Sequence, residues 1–232
     1  MLLTGSISVQ AADAAAANDP AVELIFTSVS VSGDSHTEAM YEFADKVEEL
    51  SGGSVTCKCY DNGSLFSSEN EFDALLNGDA DLAYISFPTI ATQIPSYSMF
   101  ASGYLFSSYE HMTSVLNGDI GLNKIRPQIE ETLNIKPLSS FYLGSRVINT
   151  REKEINSYDD MNGLLLRMPN SEAWLFLGEA LGANPTPLSF SELYTALQTG
   201  AVDAQDNPLP SIESAKFYEV TKYIAITNHV VD

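Results

Sequence analysis

The chain has 232 residues, 44 % of them hydrophobic, enough to bury one large core or two modest ones. Lys plus Arg total 11 against 31 Asp plus Glu, a net charge of −20. Such a surface repels phosphate backbones and anionic lipid heads, and any site for a small anion needs a local, well-placed cation.

Residues 1–20, "MLLTGSISVQAADAAAANDP", have a short apolar start and small-residue steps but no basic region, and read as a leader or signal remnant outside the fold. "VELIFT" (22–27) reads as a strand. In "SHTEAMYEFADKVEEL", apolar residues recur at helical spacing, Ser35 and Glu38 have the spacing of a capping box, and Gly52-Gly53 ends the helix. "SVTCKCYD" is the next strand; Cys57 and Cys59, two apart, face one side, too strained for a disulfide and too few for zinc, so they read as core thiols. Ser68 with Glu71 predicts another capped helix, ending at Asn77-Gly78, and "DLAYIS" a third strand. This βαβαβ rhythm predicts a parallel sheet with helices on its faces.

After Pro95 come an aromatic-rich stretch, helices near 108–117 and 120–134, and a strand at "IKPLSSFYL". The rhythm restarts at Arg146: a strand at 146–149, a turn at 159–163, the strand Leu164–Arg167, a helix across 172–181, a capping box of Ser189 with Glu192, a helix near 211–222 and the strand "IAIT". The reading is α/β, two lobes without a flexible linker: lobe I over 21–143, lobe II over 144–210, and 211–232 as a segment returning to lobe I. The end at "ITNHVVD", directly after an apolar strand, reads as a truncation.

Signals for catalysis are poor. None of His36, His111 and His229 stands in a metal-ligand pair, so no metal and no cofactor is expected, and "GDSH" places Ser35 for capping rather than for a dyad. Arg167 stands out. It follows three leucines at a strand end, where it is either a structural ion pair or an anion ligand. The carboxyl end of a strand in an open α/β sheet is where ligands bind, and a guanidinium can hold a carboxylate bidentately.

The run "GLLLRMPNSEAWLFLGEALGANPTPLSFSELYTALQTGAVDAQDNPL" (163–209) resembles the solute-binding proteins of TRAP (tripartite ATP-independent periplasmic) transporters. The resemblance rests on Arg167-Met168-Pro169, Leu181-Gly182-Ala183, Glu192-Leu193-Tyr194, Leu197-Gln198 with Gly200, and Asp203 through Asn207-Pro208. It extends upstream to 36–55, 77–86 and "GSRVINT" (144–150). It implies a two-lobed, periplasmic-binding-protein-like fold of the class II type. It also implies a monomer outside the cytoplasm that is not an enzyme, binds no nucleic acid, captures a small carboxylate and delivers it to a TRAP permease.

By the same resemblance Arg167 pairs with the ligand carboxylate, Asn207 hydrogen-bonds it, and Arg146 is a second ligand arginine. Phe190, Asn170, Ser86 and Phe87 line the pocket, whereas Trp174 reads as helix core. Ala204 and Asp206 depart from the family pattern, which more often has Gly and Glu there. An ABC-type or sensor binding module, or an acidic hydrolase, are the alternatives.

Overall fold

A computed structural model describes residues 21–232; the expected leader, 1–20, lies outside the described residues. Strand β1 (Val22–Thr27) leads to helix α1 (Ser35–Ser51), strand β2 (Val55–Tyr60), helix α2 (Glu71–Asn77) and the two-residue strand β3 (Leu82–Ala83). These strands form a parallel sheet in the order β2-β1-β3. The short helix α3 (Phe87–Ile90), a 3-10 turn (Pro95–Ala101), helix α4 (Tyr109–Leu116), a π-helical segment (Gly121–Ile125) and helix α5 (Arg126–Leu133) follow. Phe72, Ile90, Ile94, Tyr97 and Ile129 form the core beneath them.

The cap of α1 is Asp34, not Ser35: its carboxylate accepts the His36 N–H at 2.8 Å. Burial works to raise the Asp34 pKa, but the bonds from His36 prevail and hold it below the ordinary value. Asp34 also accepts a hydrogen bond from Ser214, far along the chain, at 3.2 Å. Asp34→Ala is expected to cost about 1 kcal/mol, the usual loss of an N-cap, read as a lower urea midpoint with unchanged slope. At α2 the expected capping box does not form, because Asn70 is the N-cap and Glu71 turns into the interior. "IKPLSSFYL" is not a strand; 135–143 run as irregular chain.

The second sheet comprises strands β4 (Arg146–Thr150), β5 (Leu165–Met168), β6 (Asn184–Pro187), β7 (Ala204–Pro208) and β8 (Tyr223–Ala225). Helices α6 (Glu172–Ala180), α7 (Leu193–Thr199) and α8 (Leu209–Ser214) connect them. The order is β6-β5-β7-β4-β8; β5 runs parallel to β6 and β7, and β4 runs antiparallel to β7 and β8. Both faces are covered. Ile148, Leu166, Met168 and Trp174 pack on one, and Val147, Leu193, Leu197 and Phe217 on the other.

Of the segment expected to return to lobe I, residues up to 225 stay with this second sheet through β8. Contacts of this segment with the first lobe come from Ser214, through its bond to Asp34, and from the last residues: the Tyr104 N–H donates to His229 O at 2.7 Å, and Asp232 O accepts from Leu143 N–H at 2.7 Å. No helix among the described residues is long and apolar enough to cross a membrane.

Candidate ligand-binding site

A cavity of about 1140 Å³ lies between the two sheets. Arg167, Asn207, Arg146, Phe190, Ser86 and Phe87 all line it. Ser86 and Phe87 enter from α3, where Phe87 packs 4.6 Å from the ring of Phe100, and the Ser86 hydroxyl lies 3.0 Å from that of Thr89. Asn170 does not join them. It is exposed beside a smaller cleft with Ser67, Glu69 and Ser189, because Ser171, not Asn170, caps α6, and Pro169 takes the place on the cavity wall.

Strand register decides how the polar residues group. Arg167 lies opposite Gln205, which lies opposite Asn149, so these share one face of the sheet with Asn207, two residues along. Arg146 lies opposite Pro208, and Asp206 is its diagonal neighbour on the other face. Because β4 is antiparallel to β7, its first residue stands at the carboxyl end of the parallel strands, and both arginines reach the same edge from opposite faces. Gly144, just before, is pressed against Pro208: an added Cβ would lie 2.5 Å from the proline Cβ.

On its face Arg167 is 2 % exposed, and among the described residues no carboxylate lies within ion-pair distance of it. Its Nε donates to Leu188 O at 2.8 Å, which fixes the plane of the guanidinium, and its centre lies 5.9 Å from the ring of Phe190. Burial first, and then the charge of Arg146, hold its pKa down to about 10, so it remains a cation at neutral pH. Asn207 donates to Gln205 Oε1 at 2.6 Å, Gln205 to Asn149 Oδ1 at 3.1 Å, and Asn149 to Thr221 and to Tyr223 O. This relay holds the Asn207 amide on the cavity wall and leaves its Oδ1 and second N–H for a further partner.

Arg146, expected as a second ligand arginine, lines the cavity, and protein carboxylates already pair with its charge. It pairs with Asp206 and with Asp232, its Nε donating to Asp232 at 2.9 Å and Nη1 to Asp206 O at 2.8 Å. Its guanidinium stacks 4.2 Å from the centre of the Trp174 ring, so that buried indole is both helix core and a cation platform. His229 Nε2 lies 2.8 Å from the second Asp206 oxygen, and its Nδ1 lies 2.7 Å from Thr227 Oγ1. Burial works to raise the Asp206 pKa, but Arg146 and His229 outweigh it and hold it at about 2. Asp206, Asp232 and His229 were not legible as site residues; the only sequence signal was the alternation Ala204-Gln205-Asp206-Asn207, which needs the strand assignment to be read.

The two halves touch directly: besides Ser214 with Asp34, the Phe190 N–H donates to Ser68 Oγ at 3.4 Å. Two α/β lobes enclosing a cavity, with a buried cation on its wall that no carboxylate among the described residues pairs with, are the geometry of a protein that binds a small solute between its lobes. The chain belongs to the bacterial extracellular solute-binding protein family 7, whose family model matches residues 26–232.

It is 35 % identical over 189 residues to the sialic acid-binding periplasmic protein of Vibrio cholerae, covering 82 % of this chain and 58 % of that protein. A TRAP periplasmic solute-binding protein from Roseobacter denitrificans, solved with bound 3-deoxy-D-manno-oct-2-ulosonic acid, is 41 % identical at a TM-score of 0.85. That likeness covers 92 % of this chain and 70 % of the other. The sugar acid binding protein of Advenella mimigardefordensis, in complex with galactonate, is 32 % identical at a TM-score of 0.86, covering 92 % and 68 %. The chain thus spans a little under three fifths of the length of the curated relative named above. Membership in a family of binding proteins sets aside the hydrolase alternative.

Proposed function

We propose that the protein captures one small organic acid between its lobes and delivers it to a TRAP-type membrane permease, acting as a monomer outside the cytoplasm. Arg167 supplies the counter-charge of the ligand carboxylate, and Asn207 hydrogen-bonds the same group. Phe190, Ser86 and Phe87 wall the pocket, and Arg146 holds the architecture of the site rather than the ligand. Lobe I is residues 21–143; lobe II runs from 144 through β8.

One observation carries this reading. A buried arginine faces the cavity, and among the described residues it has a hydrogen-bond partner only at Nε. A charge so placed is costly unless something neutralises it. A small carboxylate fits the planar fork, and exclusion of water would strengthen the pair by lowering the local dielectric. The relatives add weight, since their names and bound ligands are organic acids.

Calorimetric titration with succinate, galactonate, D-glucuronate and 3-deoxy-D-manno-oct-2-ulosonate, each beside its neutral amide, tests the reading. Tight binding of one acid and its loss with the amide are the expected pair of results. Equal affinity for acid and amide would remove the role given to Arg167.

A further inference from the structure

Among the described residues, five that are not glycine have a left-handed backbone: Asn62, Tyr104, Asn134, Lys216 and Asn228. Three are asparagine, which tolerates that region. Tyr104, at φ 60°, and Lys216, at φ 56°, are bulky and strained there. Lys216 serves a local turn inside lobe II, leading into the 3-10 segment Phe217–Glu219 with its N–H on Glu213 O at 3.0 Å. Tyr104 is different. It stands third in the tight turn of residues 102–105, the place that ordinarily falls to glycine. A glycine stands one place too early, at 103, where the backbone is not left-handed. The side chain does not explain the strain either, because it is 71 % exposed.

What the strained conformation does is join the lobes. The turn is fixed in lobe I at both ends, by the buried Ala101 and by Phe106, whose ring lies 6.3 Å from that of Phe100. From there the Tyr104 N–H donates to His229 O at 2.7 Å, and its hydroxyl lies 3.5 Å from Thr227 O. His229 moves with lobe II: its ring is held by Asp206 of β7, and the next residue, Val230, accepts the Arg146 N–H at 2.8 Å. Asn228, between Thr227 and His229, is left-handed as well, so two of the five such residues meet across this one contact. Elsewhere the lobes are held together by Ser214 on Asp34 and by the Phe190 N–H on Ser68. Tyr104 does not line the cavity, so it acts on a ligand only through the lobes.

We propose that Tyr104 is a sprung hinge contact, strained while the lobes are together and relaxed when they part, so that it sets how readily the empty protein opens. This rests on the reading that a ligand is captured between the lobes. Hinges are a few residues that absorb a large backbone change, and a bulky left-handed residue has a relaxed state to return to. Strain confined to the closed state lowers its population in the empty protein. The ligand must make up that difference, which reduces apparent affinity and speeds release.

Tyr104→Gly removes the strain and keeps the main-chain N–H. In calorimetry of the full chain with succinate, galactonate, D-glucuronate and 3-deoxy-D-manno-oct-2-ulosonate, one acid will bind wild type most tightly. Tyr104→Gly should bind that acid about three- to tenfold more tightly still. Tyr104→Asn should gain in the same direction, and it carries the test if the glycine variant does not fold. Tyr104→Ala loses the ring but keeps a Cβ, and should gain less than about twofold. Lys216→Gly relieves the same kind of strain within one lobe and should leave affinity unchanged. Small-angle scattering of the ligand-free proteins is the second readout: Tyr104→Gly should be more compact than wild type, and Lys216→Gly should not. Wild-type affinity and wild-type scattering in Tyr104→Gly would overturn the hinge contact and leave the carboxylate reading standing. An equal gain in affinity in Lys216→Gly or Tyr104→Ala would overturn it as well. If a folded wild type binds none of the four acids, the carboxylate reading falls; a more compact Tyr104→Gly then upholds the hinge contact, and unchanged scattering overturns it.

Discussion

Arg167→Ala will weaken binding of the cognate acid by about 2–5 kcal/mol, roughly thirty- to several-thousand-fold in Kd, the range for truncating one partner of a buried charge pair. The size follows from the surroundings. Arg167 is 2 % exposed and among the described residues no carboxylate lies in ion-pair reach, so a ligand carboxylate bound there would be its counter-ion, and water would not replace it cheaply. The fold should not suffer to the same degree. Removing an uncompensated buried charge relieves a desolvation cost, and the main losses are one bond to Leu188 O and some packing on Phe190. Arg167→Lys should rescue poorly, because an ammonium lacks the planar fork and cannot keep the Leu188 bond while holding both carboxylate oxygens. Calorimetry on each variant, with a thermal melt to verify folding, checks both statements. Unchanged affinity in a folded Arg167→Ala protein would place the carboxylate elsewhere.

The opposite pattern is expected at Arg146. Its alanine variant leaves Asp206 buried at 0 % exposure without its cation, and breaking a buried pair from one side costs about 3–5 kcal/mol of stability. For a domain of this size that lowers Tm by roughly 6–20 °C. Any loss of ligand affinity should come with this destabilisation, since Arg146 positions the strand ends rather than supplying a free charge. A ligand-binding defect at unchanged Tm would instead restore Arg146 as a direct ligand arginine.

Acid titration gives a second readout of the same network. The Asp206 pKa is depressed in the folded protein to about 2, below the ordinary carboxylate value. Its contribution is therefore fully present above about pH 4 and is lost as pH falls toward about 2. Asp206→Asn should flatten that part of the stability profile.

Much of the first lobe was legible because local signals and tertiary packing agree there. "VELIFT" is β1 residue for residue, and α2 ends at Asn77 before the left-handed Gly78 as the sequence predicts. The second lobe was harder. Asn184–Pro187 has two prolines in four residues, and Ala204–Pro208 is largely polar, so neither looks like a strand alone; they pair because β5 and β4 offer open edges beside them. "IKPLSSFYL" failed in the other direction, being apolar enough for a strand but finding no edge to join.

By itself, the sequence determined the alternating α/β order, the acidic surface and the placing of Arg167 at a strand end, since each follows from spacing and composition along the chain. The partners of each charge were decided only by the tertiary structure. Arg146 and Arg167 look alike in the chain, each beside apolar strand residues, and no local rule separates them. Register puts them on opposite faces of one sheet, where Arg146 meets Asp206 and Asp232, 60 and 86 residues away, and Arg167 meets no carboxylate among the described residues. The same holds for Glu71, which reads as a capping residue until the turn of α2 carries it inward. Whether a charge is neutralised depends on what lies within a few ångströms, and for these residues that neighbourhood is assembled from distant parts of the chain.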